Sequence, residues 1–163
     1  MKKIKLTAIL FILVILSIYP IEVGDEAQNF VNLDLNENYI FSKNIIGNGW
    51  VILDFFATYC EGCKIEIPEL EDLLLEFKSE DLQIIVFATD QDGISIIKPY
   101  FTMNPTTLTI LLDPYSVTVQ NYNVEEIPSI FLVNPEGIVV FKSVGYKEEI
   151  VEEIKDILIN AFN

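Results

Sequence analysis

The hydrophobic pattern of the chain changes period several times, and each change marks an element. Leu6 to Ile21 is an uncharged apolar run behind Lys2, Lys3 and Lys5, followed by the short polar spacer IEVGDEAQN. FVNLDLNENYIFS alternates apolar and polar residues on either side of Asn36-Glu37-Asn38, the pattern of a β-hairpin. WVILDFFAT is almost continuously apolar, which predicts a strand buried on both faces. Beyond Cys60, the residues Ile65, Leu70, Leu73, Leu74 and Phe77 recur at helical spacing, with Glu66, Glu69, Glu71 and Glu76 between them. Pro68 lies inside that helix and should kink it. LQIIVFATD predicts a second buried strand, ISIIKPYFTM a helix broken or bent at Pro99, and TLTILLD a third strand. YSVTVQNYN reads as a short helix or turn. IPSIFLVNPEGIVVFKSVG reads as two strands about an Asn134-Pro135-Glu136-Gly137 turn. KEEIVEEIKDILINAF is an amphipathic helix with Ile150, Ile154, Ile157 and Leu158 on one face. Strands alternating with helices predict an α/β domain over residues 24–163, its sheet mainly parallel with helices on both faces and an antiparallel edge from the last hairpin.

Residues 1–23 read as a signal anchor or a signal peptide. Sixteen helical residues span about 24 Å against a bilayer core of about 30 Å, and Lys5 can snorkel to extend the run back to Ile4. No small-x-small cleavage site precedes Asp25 and no cysteine lies nearby to be lipidated, so the flanks favour a retained single-pass anchor in the cytoplasmic membrane. The lysines before the run hold that end in the cytoplasm and turn the domain outward, where disulfides persist. Cleavage would make the protein secreted instead.

Charge narrows the partners. The 163 residues carry a net charge of −15, with ten lysines, no arginine and no histidine. From Glu22 onward, seven lysines face 25 acidic residues, a net −18. That argues against nucleic acid, which needs clustered cations. Such acidity keeps a domain soluble and also favours basic partners. Without histidine there is no Cys–His nucleophile pair and no His-ligated zinc, copper or haem.

The only cysteines are Cys60 and Cys63, in CEGC. A staple, half a metal site and a redox dithiol all read C-x-x-C. As a staple the pair closes a tiny loop and removes little unfolded-state entropy. A zinc site needs four ligands, which only a dimer could supply here. Cys60 follows a buried strand and opens a helix, where unpaired N–H groups and the helix dipole favour a thiolate. Cys60 is therefore the expected attacking sulfur and Cys63, one turn further in, the resolving one; this strand-to-helix junction favours redox chemistry. Gly62 is expected to let a partner chain approach closely. Lys64 adds a positive charge that Glu61 opposes.

WVILDFFATYCEGCK, with EEIPSIFLVNPEGIVV downstream, resembles the thioredoxin superfamily, and within it the membrane-anchored TlpA/ResA-like thiol–disulfide oxidoreductases. The resemblance covers about Ala27 to Phe162. It implies a thioredoxin-like fold, a central mixed sheet flanked by helices, with the N-terminal β-hairpin added. It implies that Pro128 is a cis proline facing the cysteines and that the backbone of Ile127 hydrogen-bonds an extended substrate. Asp54, six residues before Cys60, matches a buried carboxylate that accepts the proton of the second cysteine. A buried, unpaired carboxylate has a raised pKa, which suits a general base. Tyr59 stands where the family usually has Trp and is expected to cap the site. Gly62 stands where Pro is frequent. Asp90 matches an acid that some members place near the cysteines.

The expected activity is thiol–disulfide exchange with exported proteins, probing no cofactor and no metal, and running as a reductant. Its partners would be protein dithiols and disulfides, an apocytochrome c with its own C-x-x-C-H pair among them, and a membrane electron donor. Glu125 and Glu126, ahead of Ile127, with Glu61, should make the rim negative. Rival functions on the same fold fit less well. A thiol peroxidase motif P-x-x-x-T-x-x-C would need Pro and Thr where Leu53 and Ala57 stand. A Sco-type copper chaperone needs a histidine. A redox-sensing module, or a zinc module in a dimer, is the non-enzymatic alternative.

Overall fold

The computed structural model describes residues 20–78 and 80–162. The expected anchor therefore lies outside the described residues up to position 19. Among the described residues no helix is long and apolar enough to cross a membrane.

Along the chain come β1 (Val31–Asp34), β2 (Tyr39–Phe41), β3 (Trp50–Phe56), α1 (Glu61–Glu76), β4 (Leu82–Ala88), α2 (Ile94–Met103), β5 (Thr109–Leu112), α3 (Val117–Asn121), β6 (Ser129–Val133), β7 (Val139–Val144) and α4 (Ile150–Phe162). The strands form one sheet in the order β2-β1-β5-β4-β3-β6-β7. Only β3–β4 and β4–β5 are parallel. The four other pairings are antiparallel. The sheet is thus mixed, not mainly parallel. The N-terminal hairpin docks on β5 and makes a second antiparallel edge, while only α1 and α2 serve as crossovers between parallel strands.

β3 is the central strand, and its alternation builds two cores. Ile52 and Phe56 point to the face covered by α1, α2 and α4, where they meet Leu70, Ile97, Phe101, Ile154 and Leu158. Val51, Leu53 and Phe55 point to the other face, among Phe30, Phe87, Tyr122 and Phe131. The helices are unequally shared: among the described residues that second face is covered by α3, the segment leading into β1 and the turn after β2 with Ile45 and Ile46. Tyr122 closes it. Its ring packs on Phe55 and Phe131, and its hydroxyl donates to Gln28 O at 2.8 Å.

Three local expectations change. The stretch read as a polar spacer is part of the sheet edge: Gly24 N donates to Val139 O (2.8 Å), Val139 N to Asp25 O (2.9 Å) and Ala27 N to Gly137 O (2.9 Å). Ile21 is buried, and Lys142 Nζ holds its carbonyl oxygen at 2.8 Å. Helix α2 is not broken at Pro99 but runs on from Ile94 to Met103, as α1 runs on past Pro68 from Glu61 to Glu76. Finally, Leu70, Leu73 and Phe77 of the expected α1 face are buried, but its first turn departs from the pattern. Ile65 is 51% exposed while Glu66 is 1% exposed. The buried face runs Cys63, Glu66, Ile67, Leu70, Leu73.

Candidate functional site

β3 delivers the chain to the C-terminal edge of the parallel strands, and Cys60 caps the α1 N-terminus there. Its backbone is extended (φ −85°, ψ 109°), and its Sγ accepts a hydrogen bond from Cys63 N at 3.2 Å. The pair is joined in a disulfide, with Cα atoms 5.3 Å apart. The two sulfurs are not equivalent. Cys60 is partly exposed, whereas Cys63 has no accessible surface. Cys63 Sγ lies 4.0 Å from Phe55 O, against the end of β3.

The Ile127–Pro128 peptide bond is cis. Pro128 faces the motif: a Cβ placed on Gly62 would lie 3.4 Å from Pro128 Cδ. The same Cβ would lie 2.7 Å from Tyr146 Cβ, closer than side chains tolerate. Gly62 therefore also has a part to play within the chain. It makes room for this chain's own Tyr146. Among the described residues nothing takes up the backbone N–H or C=O of Ile127.

Tyr59 is exposed beside the cysteines. Glu61 is exposed too, but its Oε1 is 2.6 Å from Lys64 Nζ, so its charge is largely matched locally. Glu125, Glu126 and Ile127 line a groove of about 510 Å³ that begins at Tyr59. Asp90 is buried at the groove wall, not solvated. Its carboxylate accepts from Thr58 N at 3.0 Å and from the Thr58 hydroxyl at 2.5 Å, and so holds the loop that presents Cys60.

Asp54 shares the facing of Ile52 and Phe56 and so points under α1. It is completely buried. The group that acts on it there is Glu66, also buried. No lysine and no other side-chain donor among the described residues reaches Asp54 Oδ1, Asp54 Oδ2 or Glu66 Oε2. Burial, followed by the charge of Glu66, raises Asp54 well above the usual carboxylate range. Burial is also the main cause that pushes Glu66 up to about 7, with a further push from Glu69 and an opposing pull from Asp54. Two adjacent buried carboxylates cannot both ionise readily, so they titrate as a pair that retains a proton into the neutral range. Glu69 is the next acid out: its Oε1 accepts from the Tyr146 hydroxyl at 3.2 Å.

Glu66 is the buried residue of the candidate site that sequence reasoning missed. Its signal was its position three residues after Cys63 and one before Ile67, inside the buried stripe. Weighing every glutamate as a solvent-facing residue hid it.

This pair links stability to pH. Both carboxyl groups hold protons more tightly folded than unfolded, so the folded state binds the excess protons. Their favourable contribution is present at low pH and is lost as pH rises from the ordinary carboxylate range through about 7. Urea unfolding of the oxidised protein at pH 5 and pH 8 measures this. Asp54→Asn and Glu66→Gln should each be more stable than the parent at pH 8, on the order of 2 kcal/mol, with a smaller gain at pH 5. Parallel pH dependences in parent and variants would exclude a shared buried proton.

Comparison with known proteins agrees with this geometry. The AhpC/TSA family model matches residues 23–142. The thiol-disulfide oxidoreductase ResA of Bacillus cereus (strain ZK / E33L) is 30% identical over 137 residues, covering 84% of this chain and 77% of the relative. ResA of Bacillus subtilis (strain 168) is 34% identical over 123 residues, 74% of this chain and 66% of the relative. Among solved structures, the thioredoxin domain of a thiol-disulfide oxidoreductase from Bacteroides vulgatus superposes with a TM-score of 0.74 at 22% identity, covering 84% of this chain and 98% of that one. StoA from Bacillus subtilis superposes with a TM-score of 0.66 at 21% identity, covering 79% and 95%. At those identities the structures show the fold, and the sequence relatives show the family. The chain belongs to the AhpC/TSA family and is a thioredoxin-fold thiol–disulfide oxidoreductase.

Proposed function

We propose that the protein is a reductant of exported protein disulfides, with Cys60 attacking and Cys63 resolving. The asymmetry of the two sulfurs carries this reading: Cys60 is reachable at a helix start, and Cys63 is buried on the same stripe of α1 as Glu66. In the reduced protein the Cys60 thiolate attacks one sulfur of a client disulfide. A mixed disulfide forms and the other client sulfur leaves as a thiolate. Cys63 then gives its proton to the Asp54–Glu66 pair and attacks Cys60 Sγ. The intramolecular disulfide forms, the client leaves as its second thiolate, and two electrons have moved to the client. The thiol of a membrane electron donor would return them. The pair suits the proton step because it takes up protons near neutral pH.

The cis Pro128 and the unengaged backbone of Ile127 support docking of an extended client strand across the mixed disulfide. Tyr59 caps the same contact. An apocytochrome c with a C-x-x-C-H pair is one client that fits. Residues 1–23 would hold the domain on the outer side of the cytoplasmic membrane as a single-pass anchor, or be cleaved to release residues 24–163. A thiol peroxidase fits less well, because Leu53 and Ala57 occupy the positions where its motif has Pro and Thr.

Cys63→Ser should accumulate mixed disulfides with client proteins, and Cys60→Ser should not. Mass spectrometry of the trapped adducts decides, and adducts on Cys60→Ser instead would reverse the roles.

Stopped-flow resolution of such a mixed disulfide tests the proton step. Asp54→Asn or Glu66→Gln should slow it at least tenfold near pH 7, and less at pH 9, where the thiol ionises unaided. A rate profile between pH 6 and pH 9 that matches the parent would remove the pair from the mechanism.

Glu125 and Glu126 should favour basic client segments. Basic C-x-x-C peptides should react faster than matched acidic ones at 0.1 M salt. The gap should shrink at 1 M, as the Debye length falls from about 10 Å to about 3 Å. Equal rates at low salt would dismiss the preference.

A further inference from the structure

The groove at the cysteines does not end at the cysteines. It runs from Tyr59 and Ile127 over Gln91 and Asp92. A second groove, of about 450 Å³, begins at those same two residues and continues across Tyr115 and Val117 to Val31 and Tyr39 on the N-terminal hairpin. The sheet accounts for this continuity. β3, β4 and β5 are parallel, so the loops after them share one edge of the sheet. β1 is antiparallel to β5, with Leu33 opposite Leu112, so β1 begins at that same edge. Cys60, the β4–α2 loop, the β5–α3 loop and the open end of the hairpin therefore follow one another along a single rim. Ligands of open α/β sheets bind at this end of the strands.

The rim changes character along its length. Near the cysteines it carries Asp92, Glu125 and Glu126. Further out it is apolar and uncovered: Tyr115 is 84% exposed, Tyr39 68%, Val117 57% and Val31 55%. Contiguous exposed apolar surface of this kind marks an interaction site. Tyr115 is also held on a built loop. Buried Asp113 accepts from Val117 N at 2.9 Å and from Val119 N at 3.0 Å, and Ser116 between them is left-handed at φ +55°. A second copy of this chain is a poor occupant, because each copy brings a net −18 from Glu22 onward.

We propose that this outer groove is a second docking subsite for the client: an extended, basic polypeptide engaged at Cys60 lies along the rim and seats an aromatic or aliphatic side chain among Tyr115, Val117 and Tyr39. Its basic side chains lie over Asp92 and Glu125. From β3 to β1 is three strand spacings, about 14 Å, or about four to five residues of extended chain. The preferred apolar residue is therefore about five residues from the client cysteine. This inference rests on the reading of Cys60 as the sulfur that attacks clients.

Steady-state reduction of three substrate types by the reduced protein tests it: a small aromatic disulfide such as Ellman's reagent, basic peptide disulfides with Phe five residues before or after the cysteine, and the same peptides with Ser for Phe. One Phe peptide should exceed its Ser counterpart about tenfold in kcat/KM, as burial of a large apolar side chain allows. The variant Tyr115→Ser/Val117→Ser should abolish that advantage and leave the rate with Ellman's reagent unchanged. Equal rates for both Phe and Ser pairs would overturn the proposal. So would a double variant that keeps the parent's circular dichroism spectrum and melting temperature yet slows Ellman's reagent as much as the Phe peptide. Sedimentation showing a dimer that the double variant dissolves would reassign the patch to self-association. No reaction with Ellman's reagent by the parent would instead sink the exchange chemistry itself, an outcome that needs no contribution from the outer groove.

Discussion

Two carboxylates buried against each other are the arrangement on which this site depends. Asp54 and Glu66 come from elements that the sequence pattern assigns to apolar packing, the central strand and the first helix. A chain selected for stability alone would place hydrocarbon at both positions, as a buried ionisable pair without outside donors costs more than it returns. Their proximity fixes much else. β3 must turn its even positions toward α1, and α1 must turn Glu66 inward at the expense of Ile65. Cys63 rides on that same helical stripe, so the helical phase that buries the acid also buries the second sulfur.

Most of the fold was legible in the chain because its strands are bounded by clear turn chemistry. Asn36-Glu37-Asn38 marks the first hairpin, and Asn134 accepts from Glu136 N and Ile138 N to form the second. What the pattern does not encode is partnering. β1 reads as half of an isolated hairpin, yet it pairs with β5, far along the chain, and that choice makes the sheet mixed. The spacer before it is polar by composition but strand-like in its bonding to β7, since backbone hydrogen bonds are indifferent to side-chain polarity. At the site, the cysteines were readable from their spacing, and Asp54 and Pro128 from the family resemblance. Glu66 and Tyr146 were not. A buried glutamate follows no residue-type rule, and Tyr146 reaches the motif only through tertiary contact.

The sheet edge joins these observations. The parallel strands end where Cys60 begins, and the N-terminal hairpin extends the same edge outward. An acidic stretch near the sulfurs passes into an apolar one beneath the hairpin. The redox centre is thus one end of a longer surface, and the added hairpin belongs to that surface as much as to the sheet.

The contact between Gly62 and Tyr146 ties two distant positions into one evolutionary unit. A side chain at position 62 meets Tyr146 Cβ at 2.7 Å. The residue at position 62 cannot therefore drift alone: any side chain there demands glycine at position 146 or a shift of the backbone beyond β7. An engineer who transplants a Cys-Gly-Pro-Cys turn into this frame must make one of those changes in the same step. Families that carry proline in the motif should be those whose chains leave that space empty.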